Sequence, residues 1–234
     1  MSEYEKFVPQ PVLACLKTDE KSYLDGIFKQ YRGFPSLQDL WKLMDEQWSI
    51  YGCDPNVFDE RIASFYQHPV WLLNGLFIEQ DSQSIKFRQA LCEWASTNHL
   101  RRIADYGGGF GNLARLLGKA LPEASVDIVE PYPHPGAIAL ASKMPNVRYI
   151  EKPQDEYDLV IATDVFEHVL DPIGLAYQIG SHLSLGGYYM IANCFQPVIK
   201  CHLPQHLHLQ IGWDPAMERM GLKFHAAKCC VAEA

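Results

Sequence analysis

Arg102-Ile103-Ala104-Asp105-Tyr106-Gly107-Gly108-Gly109-Phe110-Gly111-Asn112, running on into Leu113-Ala114-Arg115-Leu116-Leu117, is the stretch whose reading decides the fold. A short apolar entry, an acid, glycines at alternate positions and then apolar residues at helical intervals read as strand, tight turn and helix. Gly107, Gly109 and Gly111 remove Cβ atoms where the backbone must turn through unusual dihedrals, and they let a ligand lie against it. Behind them Leu113, Leu116, Leu117 and Ala120 fall at i, i+3, i+4 and i+7, the buried stripe of a helix.

A glycine-rich turn alone is a weak signal, so its surroundings matter. Ser125-Val126-Asp127-Ile128-Val129-Glu130 supplies a second strand ending in a carboxylate, at the spacing a βαβ unit needs to bring an acid to a ribose diol. Tyr157-Asp158-Leu159-Val160-Ile161-Ala162-Thr163-Asp164 supplies another apolar strand that also ends in an acid. The class is α/β, with a nucleotide-handling corner at the first glycine.

Taken together these residues resemble the class I S-adenosylmethionine-dependent methyltransferases. Asp105 to Gly111 follow the family's Asp-x-Gly-x-Gly-x-Gly first motif, and Glu130 falls where the family keeps its ribose-binding acid. Asp164-Val165-Phe166-Glu167-His168-Val169-Leu170-Asp171-Pro172 is similar to its loop after strand four, and Leu185-Gly186-Gly187-Tyr188-Tyr189-Met190-Ile191-Ala192 to its glycine-led fifth strand. The resemblance covers residues 84 to 225 or so, and none extends to residues 1 to 80. It implies a Rossmann-like, mostly parallel sheet of six or seven strands, S-adenosylmethionine as cofactor and S-adenosylhomocysteine as product. The implied cofactor site takes Asp105, Tyr106, Gly107, Gly109, Gly111 and Asn112 from the first turn. Glu130, Pro131 and Tyr132 join it from the second strand end, and Thr163, Asp164 and Val165 from the fourth. No metal is implied.

The rival for the turn is a dehydrogenase fingerprint, Gly-x-Gly-x-x-Gly, whose third glycine supports a pyrophosphate on a helix N-terminus. Gly107 to Leu113 lacks glycine at that last position. A sulfonium nucleoside carries a carboxylate instead of a pyrophosphate and suits the shorter, acid-preceded turn better. An NAD(P)-dependent oxidoreductase and a non-catalytic cofactor-binding scaffold stand as alternatives.

The chain of 234 residues is 48 % hydrophobic and 21 % charged, long enough for a sizeable core. Its net charge of -8 argues against a nucleic-acid partner and favours a small or uncharged acceptor. No basic segment followed by an apolar run opens the sequence, and nothing approaches the ~18 apolar residues of a membrane span, so a cytoplasmic protein without a membrane partner is expected. Seven cysteines without a Cys-x-x-Cys pair fit reduced thiols, and the adjacent Cys229-Cys230 are too strained to bridge each other.

Residues 1–80 read as helices. Ser36 and Asp39 stand at capping-box spacing, followed by Leu37, Leu40, Trp41, Met44 and Trp48 on one face. A second helix through Phe58, Ile62, Phe65 and Tyr66 stops at His68-Pro69. Val70 to Ile78 is apolar all round and should be buried. The division expected is residues 1–80 as a helical lid, acceptor-side or dimerisation region, and 81–234 as the cofactor-binding core. A lid would offer Trp41, Trp48, Tyr51, Phe65, Tyr66 or Trp71 as pocket walls; the alternative is a packing layer, with a homodimer possible.

Within the core, Asp105 would orient the turn or cap the following helix, and Tyr132 would stack beside adenine or pack its own turn. Val147 to Glu151 is the third strand, with a short linker, Lys152 to Glu156, where the family has a crossover helix. Adenine recognition then falls to backbone groups or to Glu151. Methyl transfer needs an in-line nucleophile about 3 Å from the methyl, and a hydroxyl or amine acceptor needs a base. The candidate bases are His168, to which the resemblance more often gives a loop-ordering role, and His206 and His208, which would point the same way on an extended segment. His202, His206 and His208 could instead hold a metal without a convincing carboxylate, or order the loop closing over the cofactor. Asp214-Pro215 should start the last helix, Gly221 end it, and Leu222 to Val231 form a final strand. The activity expected is methylation of a small molecule, with oxygen slightly ahead of nitrogen or carbon.

Overall fold

The structure is a computed structural model and describes residues 2–153 and 156–225. Cys229-Cys230 and most of the strand expected from Leu222 to Val231 lie outside the described residues. The N-terminal helices are α1 (Gln10–Leu13), α2 (Thr18–Tyr31), α3 (Leu37–Ile50), α4 (Glu60–Tyr66), α5 (Pro69–Ile78) and α6 (Ser82–Thr97). There follow β1 (Arg102–Tyr106), α7 (Asn112–Ala120), β2 (Ser125–Val129), α8 (Pro135–Ala141), β3 (Val147–Ile150), β4 (Tyr157–Thr163), α9 (Pro172–Gly180), β5 (Leu183–Ala192) and α10 (Leu209–Arg219).

The helix starts are written in local chemistry. Ser36 Oγ accepts the Asp39 amide at 3.2 Å and donates to the Asp39 carboxylate at 2.6 Å, which opens α3. That helix then buries Leu40, Leu43, Met44 and Trp48. The His68 ring accepts the Val70 amide at 3.1 Å and Pro69 occupies the first position of α5, a helix apolar enough to be buried nearly throughout.

Among the described residues five parallel strands lie in the order β3-β2-β1-β4-β5. The winding reverses between β1 and β4, so the loops leaving their carboxyl ends diverge and open a crevice there. The sheet of the described residues has five strands, where six or seven are expected. The run before His202 forms no edge strand, because Ile199, Cys201 and Leu203 are spent in the core of the N-terminal helices. Leu222 to His225 likewise carries no strand. The last helix also begins earlier than Asp214-Pro215 implied: α10 starts at Leu209 and Pro215 sits inside it. The carbonyl that Pro215 leaves without its helical donor belongs to Ile211, which is 88 % exposed and can turn to water.

One sheet face packs Ile103, Val126, Ile128, Leu159 and Ile161 on Leu113 and Leu117 of α7 and Ala95 of α6. The other packs Ala104, Val160 and Ala162 against Phe166, Ile179, Trp213 and Met217. The N-terminal helices hold a third core, which takes in Phe110 from the turn after β1 and Leu140 from α8. They therefore roof the carboxyl end of the sheet. A Cβ at Gly75 would stand 2.6 Å from Phe110 Cγ, so this glycine is the notch that receives the ring. Glu20 to His134 at 3.2 Å and an Arg115–Glu79 ion pair fasten the same junction. Among the described residues no helix is long and apolar enough to cross a membrane.

Because roof and sheet share one apolar junction, denaturant unfolding followed by tryptophan fluorescence and by far-UV circular dichroism should give coincident single transitions. Leu73→Ala, at a fully buried position, should lower stability by about 3 kcal/mol. Separate transitions for the helices and the sheet would contradict the shared core.

Candidate active site

Gly107, Gly109 and Gly111 adopt φ values of 64°, 51° and 73°, the left-handed region that side chains avoid. The Gly107 amide donates to the Val129 carbonyl at 2.8 Å and the Gly111 amide to the Gly108 carbonyl at 2.8 Å. A Cβ at Gly107 would fall 2.5 Å from Val165 Cγ2, and one at Gly111 would fall 2.8 Å from the Tyr149 hydroxyl. At Gly109 the nearest neighbour would be 3.9 Å away, so that face of the turn is open. Its peptide is gripped from both sides. The Gly109 amide donates to Glu130 Oε2 at 3.0 Å, and Tyr149 Oη donates to the Gly109 carbonyl at 2.9 Å. Glu130 Oε1 accepts the Tyr132 amide at 3.1 Å.

Asp105 is 1 % exposed and lies beneath the turn, its Oδ2 2.8 Å from where a Gly108 Cβ would stand. That oxygen has no hydrogen-bond partner among the described residues. Burial lifts the Asp105 carboxyl to about 7; Arg88 opposes the rise, Glu130 adds to it and the Ala114 amide opposes it. Burial also raises Glu130, against the pull of the Tyr132 and Gly109 amides. Asp164, with φ 53°, is open to solvent yet hemmed in by protein, and its pKa is raised by that desolvation against His202 and Arg88. A carboxylate both accessible and surrounded is the wall of a crevice. Arg88, on α6, feels Asp105 and Asp164 together.

Across the crevice, Phe166–His168 form a 3-10 turn after β4. Glu167 is fully buried. Its Oε1 accepts the Cys194 amide at 2.7 Å, its Oε2 has no partner among the described residues, and burial pushes its pKa to about 7. His168 Nδ1 lies 3.0 Å from the Cys201 carbonyl, and burial drives its pKa down to about 3, so the ring is neutral. It packs edge-on against Tyr66, Trp71 and His202, with centroids 6.2, 6.3 and 4.8 Å away. Tyr66 Oη and Trp71 Nε1 are buried without a partner among the described residues. His202 Nδ1 lies 3.0 Å from the Gln196 carbonyl, and burial lowers its pKa too.

The fold thus brings Asp105, Gly107, Gly109, Gly111 and Glu130 to one turn and sets Val165 against it. Thr163 ends β4 half-buried, and Pro131 and Tyr132 are exposed beyond β2. Tyr106 packs into the β4–β5 side of the sheet, and Asn112 Oδ1 accepts from Arg115 at 2.6 Å within α7. Glu151 is exposed just past β3. The extended segment expected to align His206 and His208 is absent: a 3-10 turn, Pro204–His206, leads into α10, and the two rings part. His206 is buried with Nε2 2.6 Å from the Val169 carbonyl, whereas His208 is exposed with Nδ1 2.9 Å from the Gln205 carbonyl. His202, His206 and His208 therefore form no common cluster; the group that does assemble is Glu167, His168 and His202. Arg88 and Tyr149 escaped the sequence reading. Arg88 precedes the buried Cys92 and Ala95 by four and seven residues, which puts a charge on the buried stripe of α6. Tyr149 follows Val147 on the same side of β3.

A family model described as a methyltransferase domain matches residues 84–230, more than half the chain. No curated protein matches the sequence. Among solved structures, an O-methyltransferase family protein from Burkholderia thailandensis aligns with a TM-score of 0.59 at 13% identity, over 82% of this chain and 67% of that one. Coclaurine N-methyltransferase bound to N-methylheliamine and SAH gives 0.47 at 15% identity, over 78% and 61%. The plantazolicin methyltransferase BpumL, in complex with a triazolic desmethylPZN analog and SAH, gives 0.43 at 19% identity, over 67% and 59%. At 13% identity the likeness to the Burkholderia thailandensis protein is one of fold, and the present chain spans about six tenths of the length of the plantazolicin enzyme.

The raised Asp105 pKa sets a sign for pH dependence. Its value is about 7 in the folded chain against 3.8 for an unperturbed aspartate, so the stability tied to its neutral form is complete at acid pH and is lost as pH rises through 7. Glu167 acts in the same direction. Asp105→Asn should therefore gain on the native protein between pH 4 and pH 8 by on the order of 3 kcal/mol, measured by denaturant unfolding at each pH. Parallel stability curves for the two proteins would show Asp105 to be ionised without cost.

Proposed function

The chain belongs to the methyltransferase-domain family, the class I S-adenosylmethionine-dependent methyltransferases, and on that premise we propose that it methylates an oxygen of a small molecule. The observation that carries the cofactor half is the exposed, left-handed peptide at Gly109 beside the Glu130 carboxylate. The pocket chemistry fits the group. Backbone without Cβ atoms leaves space above the turn, Glu130 keeps lone pairs beyond the two amides it accepts, and ribose hydroxyls are donors to such a carboxylate. Gly107, Gly109, Glu130, Asp164 and Val165 would line the cofactor, with Pro131 and Tyr132 at its adenine end and Thr163 behind Asp164. Asp105, Gly111, Tyr106 and Asn112 would act from beneath, by holding the turn and α7 in place. When bound, S-adenosylmethionine supplies a methyl made electrophilic by its sulfonium.

The acceptor half rests on the roof. Tyr66 and Trp71 bring a hydroxyl and an indole N–H, both buried and unpartnered among the described residues, to the ring of His168. Such donors suit an acceptor bearing oxygen, since a buried donor without a partner costs free energy that a ligand oxygen restores. The N-terminal helices bury most of their apolar side within the chain, although Ile50 stays exposed, which favours the lid over a dimerisation layer. Of the three candidate bases, His168 stands at this wall; His206 is engaged with Val169 and His208 faces solvent. Positioning and exclusion of water are what these residues contribute to an in-line displacement.

Calorimetric titration should show S-adenosylhomocysteine bound by the native chain, at least tenfold weaker binding by Glu130→Gln, and none by Gly107→Val, whose side chain would meet Val165. Radiolabelled methyl donor offered with a panel of phenols and hydroxy acids should then yield a labelled product. Binding without any transfer would identify a scaffold, and no binding at all would end the cofactor assignment.

A further inference from the structure

We propose that Glu167, His168 and His202 form a divalent-cation site at the carboxyl end of β4, where a bound ion holds an acceptor oxygen beside the glycine turn. The role given to the ion rests on the methyl-transfer reading; its binding does not.

One donor atom from each of the three residues lies within 4.8 Å of the others. Donors held by bonds of about 2.1 Å on one tetrahedral ion stand ~3.4 Å apart, so the cluster has to contract by at most about 1.4 Å, within the reach of side-chain rotations. Each histidine is already oriented in the manner of a ligand. Nδ1 of His168 and Nδ1 of His202 each lie 3.0 Å from a backbone carbonyl, of Cys201 and Gln196. A carbonyl only accepts, so Nδ1 carries the proton and the Nε2 lone pair is left for a metal, the arrangement of outer-shell carbonyls around ligating imidazoles. His202 also has a backbone hydrogen bond to Cys194, which a bound ion would have to replace if it engages the same ring nitrogen. Glu167 supplies the independent sign. Its Oε1 is fixed by the Cys194 amide, while Oε2 is fully buried and unsatisfied among the described residues. A buried carboxylate oxygen without a partner is uncommon, and a bound ion would satisfy it.

Two imidazoles and one carboxylate leave coordination positions open and favour zinc, manganese, iron(II) or cobalt(II) over magnesium or calcium. Asp164, exposed and within electrostatic reach of His202, gives an ion its way in. The loop is close to the chemistry, since Val165 occupies the space a Gly107 side chain would need. A hydroxyl bound to the ion loses its proton to water more readily, and its oxygen keeps the electron pair, which removes the need for a histidine base.

The test uses the untagged full chain, stripped with chelator and titrated with cobalt(II) alone, followed by calorimetry and by the visible d–d absorption of the ion. One ion per chain is expected, with affinity at least tenfold weaker in His202→Gln and in Glu167→Gln and unchanged in His208→Gln. Thermal melting of each metal-free variant identifies any that fails to fold, and Glu167→Gln, which keeps the shape of the side chain, serves if His202→Gln does. No uptake by the native chain, or equal uptake by the folded variants, overturns the site. S-adenosylhomocysteine titration in the presence of chelator separates the two ideas. Cofactor binding without cobalt binding defeats the cation site alone, and cobalt binding without cofactor binding defeats the methyl-transfer reading alone.

Discussion

The peptide at Gly109 is held by its amide to the end of β2, through Glu130, and by its carbonyl to the end of β3, through Tyr149. Both bonds require the chain to leave β1 in left-handed dihedrals, and a side chain at Gly108 would collide with Asp105 beneath. Three strand ends are thereby tied to one loop. The geometry then propagates. Phe110, next in the chain, is thrown outward into the notch at Gly75, and Gly111 is pressed beneath Tyr149 and Ile128 so that α7 can start. The site and the attachment of its roof are two consequences of the same turn.

That roof is built from residues far apart in sequence. Tyr66 and Trp71 come from the N-terminal helices, His168 from the loop after β4, and Cys201 and His202 from the segment after β5. Polar seams close the outer rim. Asp45 accepts the Lys200 amide at 2.7 Å, Ser49 accepts from Lys200 Nζ at 2.6 Å, and the Pro55 carbonyl accepts from Gln205 at 2.8 Å. The segment following β5 thus trades an edge strand for a place between sheet and helices, and the sheet of the described residues stays at five strands. A short connection after β5 would leave the third core without Ile199, Cys201 and Leu203.

Features that repeat with a helix or strand period, or that cap within three residues, were legible in the sequence. The glycine turn, the three apolar strands, the Ser36 cap and the buried α5 all follow from interactions between residues close in the chain. The segment from Asn193 to His208 has no such period. Its conformation is set by bonds such as Glu167 to Cys194 and His206 to Val169, 27 and 37 residues apart. Proximity in sequence therefore grouped His202 with His206 and His208, whereas the fold grouped it with Glu167 and His168. Pro215 misled for a related reason: a proline marks a helix start only where no carbonyl behind it needs a donor, and an exposed flank relaxes that demand. Arg88 was hidden because its stripe on α6 carries only Cys92 and Ala95 as fully buried residues, too little apolar contrast to reveal a charge turned inward.

The same burial that shapes the crevice sets its charge. Asp105, Glu130, Asp164 and Glu167 all have raised pKa values, with burial or desolvation as the first cause; Arg88 opposes the rise at Asp105 and Asp164, and burial lowers the pKa of His168 and His202. Carboxylates whose pKa burial has raised are favoured in their ionised form by a nearby positive charge. A sulfonium nucleoside with its ammonium group brings two such charges against one carboxylate. After methyl transfer the sulfur is neutral, and on the proposed placement the acids around the turn would face a product with one charge fewer. On the proposed placement of the cofactor, the carboxylates beneath and beside the turn would therefore favour the methyl donor over its product by electrostatics, without any contact that the two nucleosides do not share.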